Sequence, residues 1–181
     1  MKIKDNPKFT NINPLSVTSL LENVESEGRA DWKDIPNEAG IYIVYLPPGT
    51  IFGVRDNTGK AIYADPSPAP DLRKKWNNIN IREPTDIIYI GKGKILRKRI
   101  RNLARFGAGR ARNHKGGEWM WQVTSISEAQ VIIMTCPAGR EAAFEKYLLE
   151  KFKRDHGELP FANRDSGTGQ EVWCPANWGN K

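Results

Sequence analysis

The stretch Ile87-Ile88-Tyr89-Ile90-Gly91-Lys92-Gly93-Lys94-Ile95-Leu96-Arg97-Lys98-Arg99-Ile100-Arg101-Asn102-Leu103 decides the fold. It opens on β-branched and aromatic residues, the composition of a buried strand. The pattern then changes: Leu96, Ile100 and Leu103 recur at i, i+4 and i+7, which is the spacing of one helix face. A strand that runs almost directly into a helix has a partner upstream in Ile41-Tyr42-Ile43-Val44-Tyr45-Leu46, which Pro47-Pro48 brings to an end. Two more strands are expected at Trp119–Val123 and Gln130–Cys136. A hairpin is expected over residues 50–63, with Ile51–Val54 returning through Asp56-Asn57-Thr58-Gly59 into Ala61–Tyr63.

Three further helices follow from similar signals. Val17, Leu20, Leu21 and Val24 share a face behind Ser16 as an N-cap and Gly28 as a stop. A proline-rich loop leads to a short basic helix at Asp71–Trp76, and an amphipathic helix covers Glu141–Arg154 before Gly157 and Pro160. Strands interleaved with helices predict an α+β domain with a small, mainly antiparallel sheet flanked by helices. Residues 1–36 read as an N-terminal helical extension and 37–164 as the domain. Residues 47–86 are an insertion between the two tyrosine-bearing strands, and 165–181 form a tail with Trp173 and Trp178.

The chain has 181 residues, 39% hydrophobic and 27% charged, with a net charge of +7. Length and hydrophobic content suit one domain with a real core. The positive charge is concentrated: no acidic residue falls between Ile87 and Gly117, whereas Lys92, Lys94, Arg97, Lys98, Arg99, Arg101, Arg105, Arg110, Arg112 and Lys115 do. Such a patch suggests a polyanion, since clustered cations release counterions from a phosphate backbone. A protein that binds acidic proteins would also explain the charge. Cys136 and Cys174 make neither a disulfide framework nor a zinc-ligand spacing and are expected to be free thiols in a reducing compartment. The N-terminus has no signal-peptide core, and no run approaches the ~20 apolar residues of a membrane span. A cytoplasmic protein without a membrane partner is expected.

Two charged residues stand out by helical geometry. With Leu96 at zero and ~100° per residue, Arg99 falls at roughly −60°, beside the apolar face. From there its guanidinium is expected to run along the domain surface, either snorkelling over the core edge or gripping a phosphate in bidentate fashion. Glu145 lies between the directions of Leu148 and Leu149 in the helix whose stripe is Phe144, Leu148 and Phe152. A carboxylate there is costly unless it is paired or holds a cation, so it marks either a salt bridge to an arginine or a ligand for Mg2+. Glu141, one turn earlier, suits the helix N-terminus. Tyr42 and Tyr89, singly, read as core strand tyrosines. Together with Arg99 and Glu145 they gain a second meaning: phenols that position or deprotonate a water beside a guanidinium and a metal.

Gly40-Ile41-Tyr42 and Tyr89-Ile90-Gly91 resemble the two namesake motifs of the GIY-YIG nuclease superfamily, and Arg99 lies ten positions past Tyr89 as in that family. Phe144-Glu145-Lys146-Tyr147-Leu148-Leu149, then Phe152, Pro160 and Asn163, resembles its closing pattern, so the likeness spans about residues 39–163. It implies a metal-dependent endonuclease. Tyr42 would be the general base or water-positioning phenol and Tyr89 its hydrogen-bonding companion. Arg99 would stabilise the transition state, Glu145 would hold one Mg2+ or Mn2+, and Asn163 would brace the site. Lys92, Lys94, Arg97, Arg101, Arg105 and His114 are the expected nucleic-acid contacts, with double-stranded DNA placed ahead of RNA. A homodimer is expected if both strands are cut. Two departures stand against the pattern: Leu103 occupies the place of a common family histidine, and the insertion is long. The competing reading is a non-catalytic DNA- or RNA-binding module on the same fold, with Trp76, Trp119 and Trp121 as stacking surfaces.

Overall fold

The computed structural model describes residues 13–26, 32–55, 72–82, 84–110 and 118–167. In chain order they form β1 (Leu15–Ser16), α1 (Val17–Glu25), β2 (Gly40–Tyr45), α2 (Leu72–Arg82), β3 (Ile87–Gly93), α3 (Leu96–Gly107), β4 (Gln130–Thr135) and α4 (Glu141–His156). The architecture is α+β. One antiparallel sheet runs β1-β4-β2-β3, with β2 bonded on both edges and β3 on the outside.

All six residues of β2 are buried, which is why they read as a continuous apolar run rather than an alternating one: both faces of the strand are covered. Helices α3 and α4 pack on β2 and β3, α1 packs on α3, and α2 packs on α4. The predicted stripe of α3 holds, with Leu96, Ile100 and Leu103 all buried. Leu103, only 1% exposed, is a core residue with no face left for chemistry. At its far end α4 stops at Gly157, whose φ of 85° is the left-handed conformation that glycine adopts freely.

Several expectations change. Trp119–Val123 is not a strand: Glu118–Gln122 form a 3₁₀ turn, with Val123 N–H donating to Met120 O at 3.2 Å. Trp119 and Trp121 alternate like strand residues, but Met120 and Trp121 are both buried, and adjacent residues of a one-sided strand point opposite ways. Trp121 lies over Gly107 at the end of α3, where any β-carbon would collide with its ring, so it is not a stacking surface for bases. Ile51–Val54 is not a strand either; Val54 makes a single bridge, to Val123. The return limb of that hairpin lies outside the described residues. Ser16 is at the N-cap of α1 but makes no side-chain cap; Val17 N–H donates to Ala129 O at 2.9 Å instead. The basic helix α2 runs to Arg82, well past Trp76. Cys136 is a half-exposed free thiol, while Gly28 and Cys174 are outside the described residues. Among the described residues no helix is long and apolar enough to cross a membrane.

Candidate active site

The register of β2 on β3 places Tyr42 opposite Gly91 and Val44 opposite Tyr89, so the two tyrosines are diagonal neighbours on one face. Their ring centroids are 5.7 Å apart and the rings are tilted by 53°. Gly91 is bare because the Tyr42 ring covers it: a β-carbon there would stand 2.6 Å from the Tyr42 hydroxyl. Two residues on, and on the same face by the strand period, a β-carbon on Gly93 would stand 2.8 Å from Cβ of Arg99. The pair of glycines is thus a floor on which the phenol and the arginine stem lie. Gly40 is held open for a different reason, the backbone oxygen of Met134 and the Leu96 side chain.

Gly93 also corrects the reading of Arg99. Its place at the edge of the apolar face predicted a side chain along the surface; instead α3 sits close over the strand and Arg99 turns inward, half-buried, towards both tyrosines. Burial works against the guanidinium charge, but the two phenols outweigh it and hold the pKa above its ordinary value. Its Nε is buried without a hydrogen-bond partner. Tyr42 is fully buried. Its hydroxyl lies beside Arg99 and Tyr89 but has no hydrogen-bond partner among the described residues. Burial raises the pKa of Tyr42, with Arg99 opposing, and raises that of Tyr89 well above normal, with Tyr42 adding to the effect. Both phenols are neutral in this site.

Helix α4 supplies the carboxylate. Glu145 is 8% exposed within the stripe of Phe144, Leu148 and Leu149. Its Oε2 accepts a hydrogen bond from Lys92 Nζ at 2.5 Å, so the partner is the lysine of β3 and not an arginine. Burial raises the Glu145 pKa, while Lys92 and then Arg99 oppose it. Glu141, one turn earlier, is more than a helix-dipole acid: it is 5% exposed, lines the same cleft, and its buried Oε2 has no hydrogen-bond partner.

Tyr89, Arg99, Glu145, Lys92, Lys94 and Asn163 all line one cleft of about 1010 Å³, with Tyr42 directly behind it. Asn163 lies across the free edge of β3, its Nδ2 donating to Ile90 O at 2.8 Å and its Oδ1 accepting from Ile90 N–H at 3.0 Å. Arg101 and Arg105 are exposed on the outer face of α3 and do not line the cleft. Arg97 is turned away, its Nε bonded to Ile35 O at 2.8 Å, where it ties α3 to the loop before β2. His114 lies outside the described residues. His156 is buried, with Nδ1 3.3 Å from Ile79 O and its ring 4.2 Å from that of Phe152, so it is a packing residue between α4 and α2.

Lys98, named above only within the basic patch, and Asn102, Arg164 and Asp165, not among the expected site residues, also line the cleft. For the first two a local signal was present: Lys98 and Asn102 are an i, i+4 pair on α3, and Asn102 follows Arg99 at i+3. Arg164 and Asp165 follow the final turn and carry no local signal.

Mg2+ fits this donor set. It takes oxygen ligands, is commonly held by only one or two carboxylates, and completes its shell with water and substrate phosphate. Glu145 offers such a carboxylate at the cleft wall, with the charge of Asp165 close enough to influence it. Among the described residues no group of three or more His, Cys, Asp or Glu could enclose a metal unaided.

No family model, curated protein or solved structure matches this chain.

Proposed function

We propose that the chain is a metal-dependent endonuclease of GIY-YIG type that hydrolyses phosphodiester bonds, with DNA as its substrate ahead of RNA. The observation that carries this reading is the convergence of Tyr89, Arg99 and Glu145 on one cleft, with Tyr42 behind them and buried polar atoms of Tyr42 and Arg99 left unpartnered. Unsatisfied buried polar groups are costly, and active sites are where such cost is tolerated.

Hydrolysis of a phosphodiester needs an oriented water and positive charge on the phosphate oxygens as the bond breaks. Arg99, charged and held by its own strand-helix junction, supplies fixed positive charge. Tyr89, a neutral phenol that lines the cleft, orients the water through its hydroxyl, and Tyr42, fully buried, backs it. Lys92 is a second cation, already in the cleft. Glu145 would hold a Mg2+ or Mn2+, which would supply Lewis-acid stabilisation of the developing charge. Lys94 and Lys98 at the cleft, with Arg101 and Arg105 exposed on α3, track the flanking backbone. The enzyme works in the cytoplasm, as a homodimer where both strands are cut.

The test is nicking of supercoiled plasmid with Mg2+. Wild type is expected to nick it, and Glu145→Ala to lose nicking while still retarding the same DNA in a gel. A wild type that is inert with both Mg2+ and Mn2+, yet binds DNA with a steep salt dependence, is instead a non-catalytic binding module.

A further inference from the structure

Helix α2, in the inserted segment, carries Lys75, whose ammonium meets three carbonyl oxygens: Pro160 at 3.0 Å, Phe161 at 2.9 Å and Asn163 at 2.8 Å. An ammonium has three N–H donors, and the three acceptors use them all. Burial pulls its pKa down to about 8, with Glu158 opposing, so at neutral pH it still carries the proton that this geometry needs. Lys75 belongs to the basic stretch Leu72–Trp76, yet it is committed to the protein's own backbone. Its neighbour Trp76 is committed too, stacked on Phe52 at 3.8 Å and edge-on to Phe161 at 6.1 Å.

The turn that Lys75 grips is the one that grips β3. Ala162 N–H donates to Ile88 O at 2.7 Å, and the Asn163 amide takes both backbone groups of Ile90. Those bonds fall on either side of Tyr89. We infer that Lys75 is a positioning residue, which fixes the 160–163 turn and, through Asn163 and Ala162, the seating of Tyr89 in the cleft. The insertion is then part of the site's scaffold. Without the ammonium, three carbonyls on one side of the turn lose their shared donor, and the turn lifts from β3 more often.

Amide hydrogen exchange of the full chain tests this without reference to catalysis. In Lys75→Met the Ile90 and Ala162 amides are expected to exchange at least about tenfold faster, with those of β4 within about twofold of wild type, the mark of a local opening. Lys75→Gln keeps two donors and is expected to fall between; it also keeps the measurement available should the Met variant not fold. A second arm rests on the nuclease reading: kcat for DNA cleavage falls about tenfold while KM stays within about twofold, as when geometry rather than affinity is lost. Should wild type not cleave, the exchange arm decides alone. Unchanged protection at Ile90 and Ala162, acceleration in step with β4, or a cleaving Lys75→Met enzyme with wild-type kcat would each overturn the inference.

Discussion

Two regions meet at β3 and are built in opposite ways. On the strand's face, the glycines Gly91 and Gly93 make room for Tyr42 and Arg99, and polar atoms of both side chains are buried without partners. Along the strand's free edge, the 160–163 turn has its polar groups paired: Asn163 with Ile90, Ala162 with Ile88, and its carbonyls with Lys75. The two lysines of these regions show the same contrast. Lys75 is divided among neutral carbonyls of the scaffold, whereas Lys92 sits on Glu145, a carboxylate of the cleft wall. A protein tolerates unsatisfied polar atoms where they do chemistry, and the neighbouring scaffold must be well satisfied for them to stay in place.

The strand's face is most sensitive at Arg99. Arg99→Ala is expected to lower single-turnover DNA cleavage by about 10²–10³-fold, the usual effect of removing one preorganised charge donor, with DNA affinity changed only a few-fold. Activity above a tenth of wild type would move the site away from this face.

Next come the glycines. Gly91→Ala forces a β-carbon against the Tyr42 hydroxyl, and a loss of about 1–3 kcal/mol in urea unfolding is expected from such overpacking, together with a fall in cleavage. Gly139→Ala is its control. Nothing lies within 4 Å of its β-carbon, but its φ of +81° costs a side chain about 1 kcal/mol, so stability falls slightly and cleavage is untouched. Equal effects of both on cleavage would contradict the floor role of Gly91.

The smallest effect separates cleft cations from structural ones. Lys98→Ala is expected to reduce the slope of log affinity against log salt by about 0.9, one phosphate contact. Arg97→Ala is expected to leave that slope alone, because its guanidinium serves Ile35 and Lys33. Fluorescence anisotropy over a salt series reads both, and a slope change with Arg97→Ala would put that residue back on the nucleic acid.

Much of the sheet was legible because the relevant signals are local. The apolar run of β2, the strand-to-helix change of pattern after β3, and the stripes of α3 and α4 each depend on residues a few positions apart. The burial of Glu145 was legible for the same reason, from its angle on α4. Its partner was not, since Lys92 is 53 residues away and its ammonium reaches the carboxylate only once β3 and α4 are packed. Arg99 could be placed at the edge of α3, but the inward turn depends on Gly93 being bare beneath it. Trp119–Val123 misled because alternating tryptophans imitate a strand, and the 3₁₀ turn shows only in the bond from Val123 N–H to Met120 O. The three-carbonyl grip of Lys75 leaves no trace in local pattern, as a lysine beside other basic residues looks like a solvated helix face.

The most direct test of the central claim is a crystal of the protein with a DNA duplex grown in Mn2+, read by anomalous diffraction. A peak is expected on the Glu145 carboxylate, shared with a backbone phosphate that faces Arg99 and Tyr89. A peak away from Glu145, or a duplex bound elsewhere with this cleft empty, would contradict it.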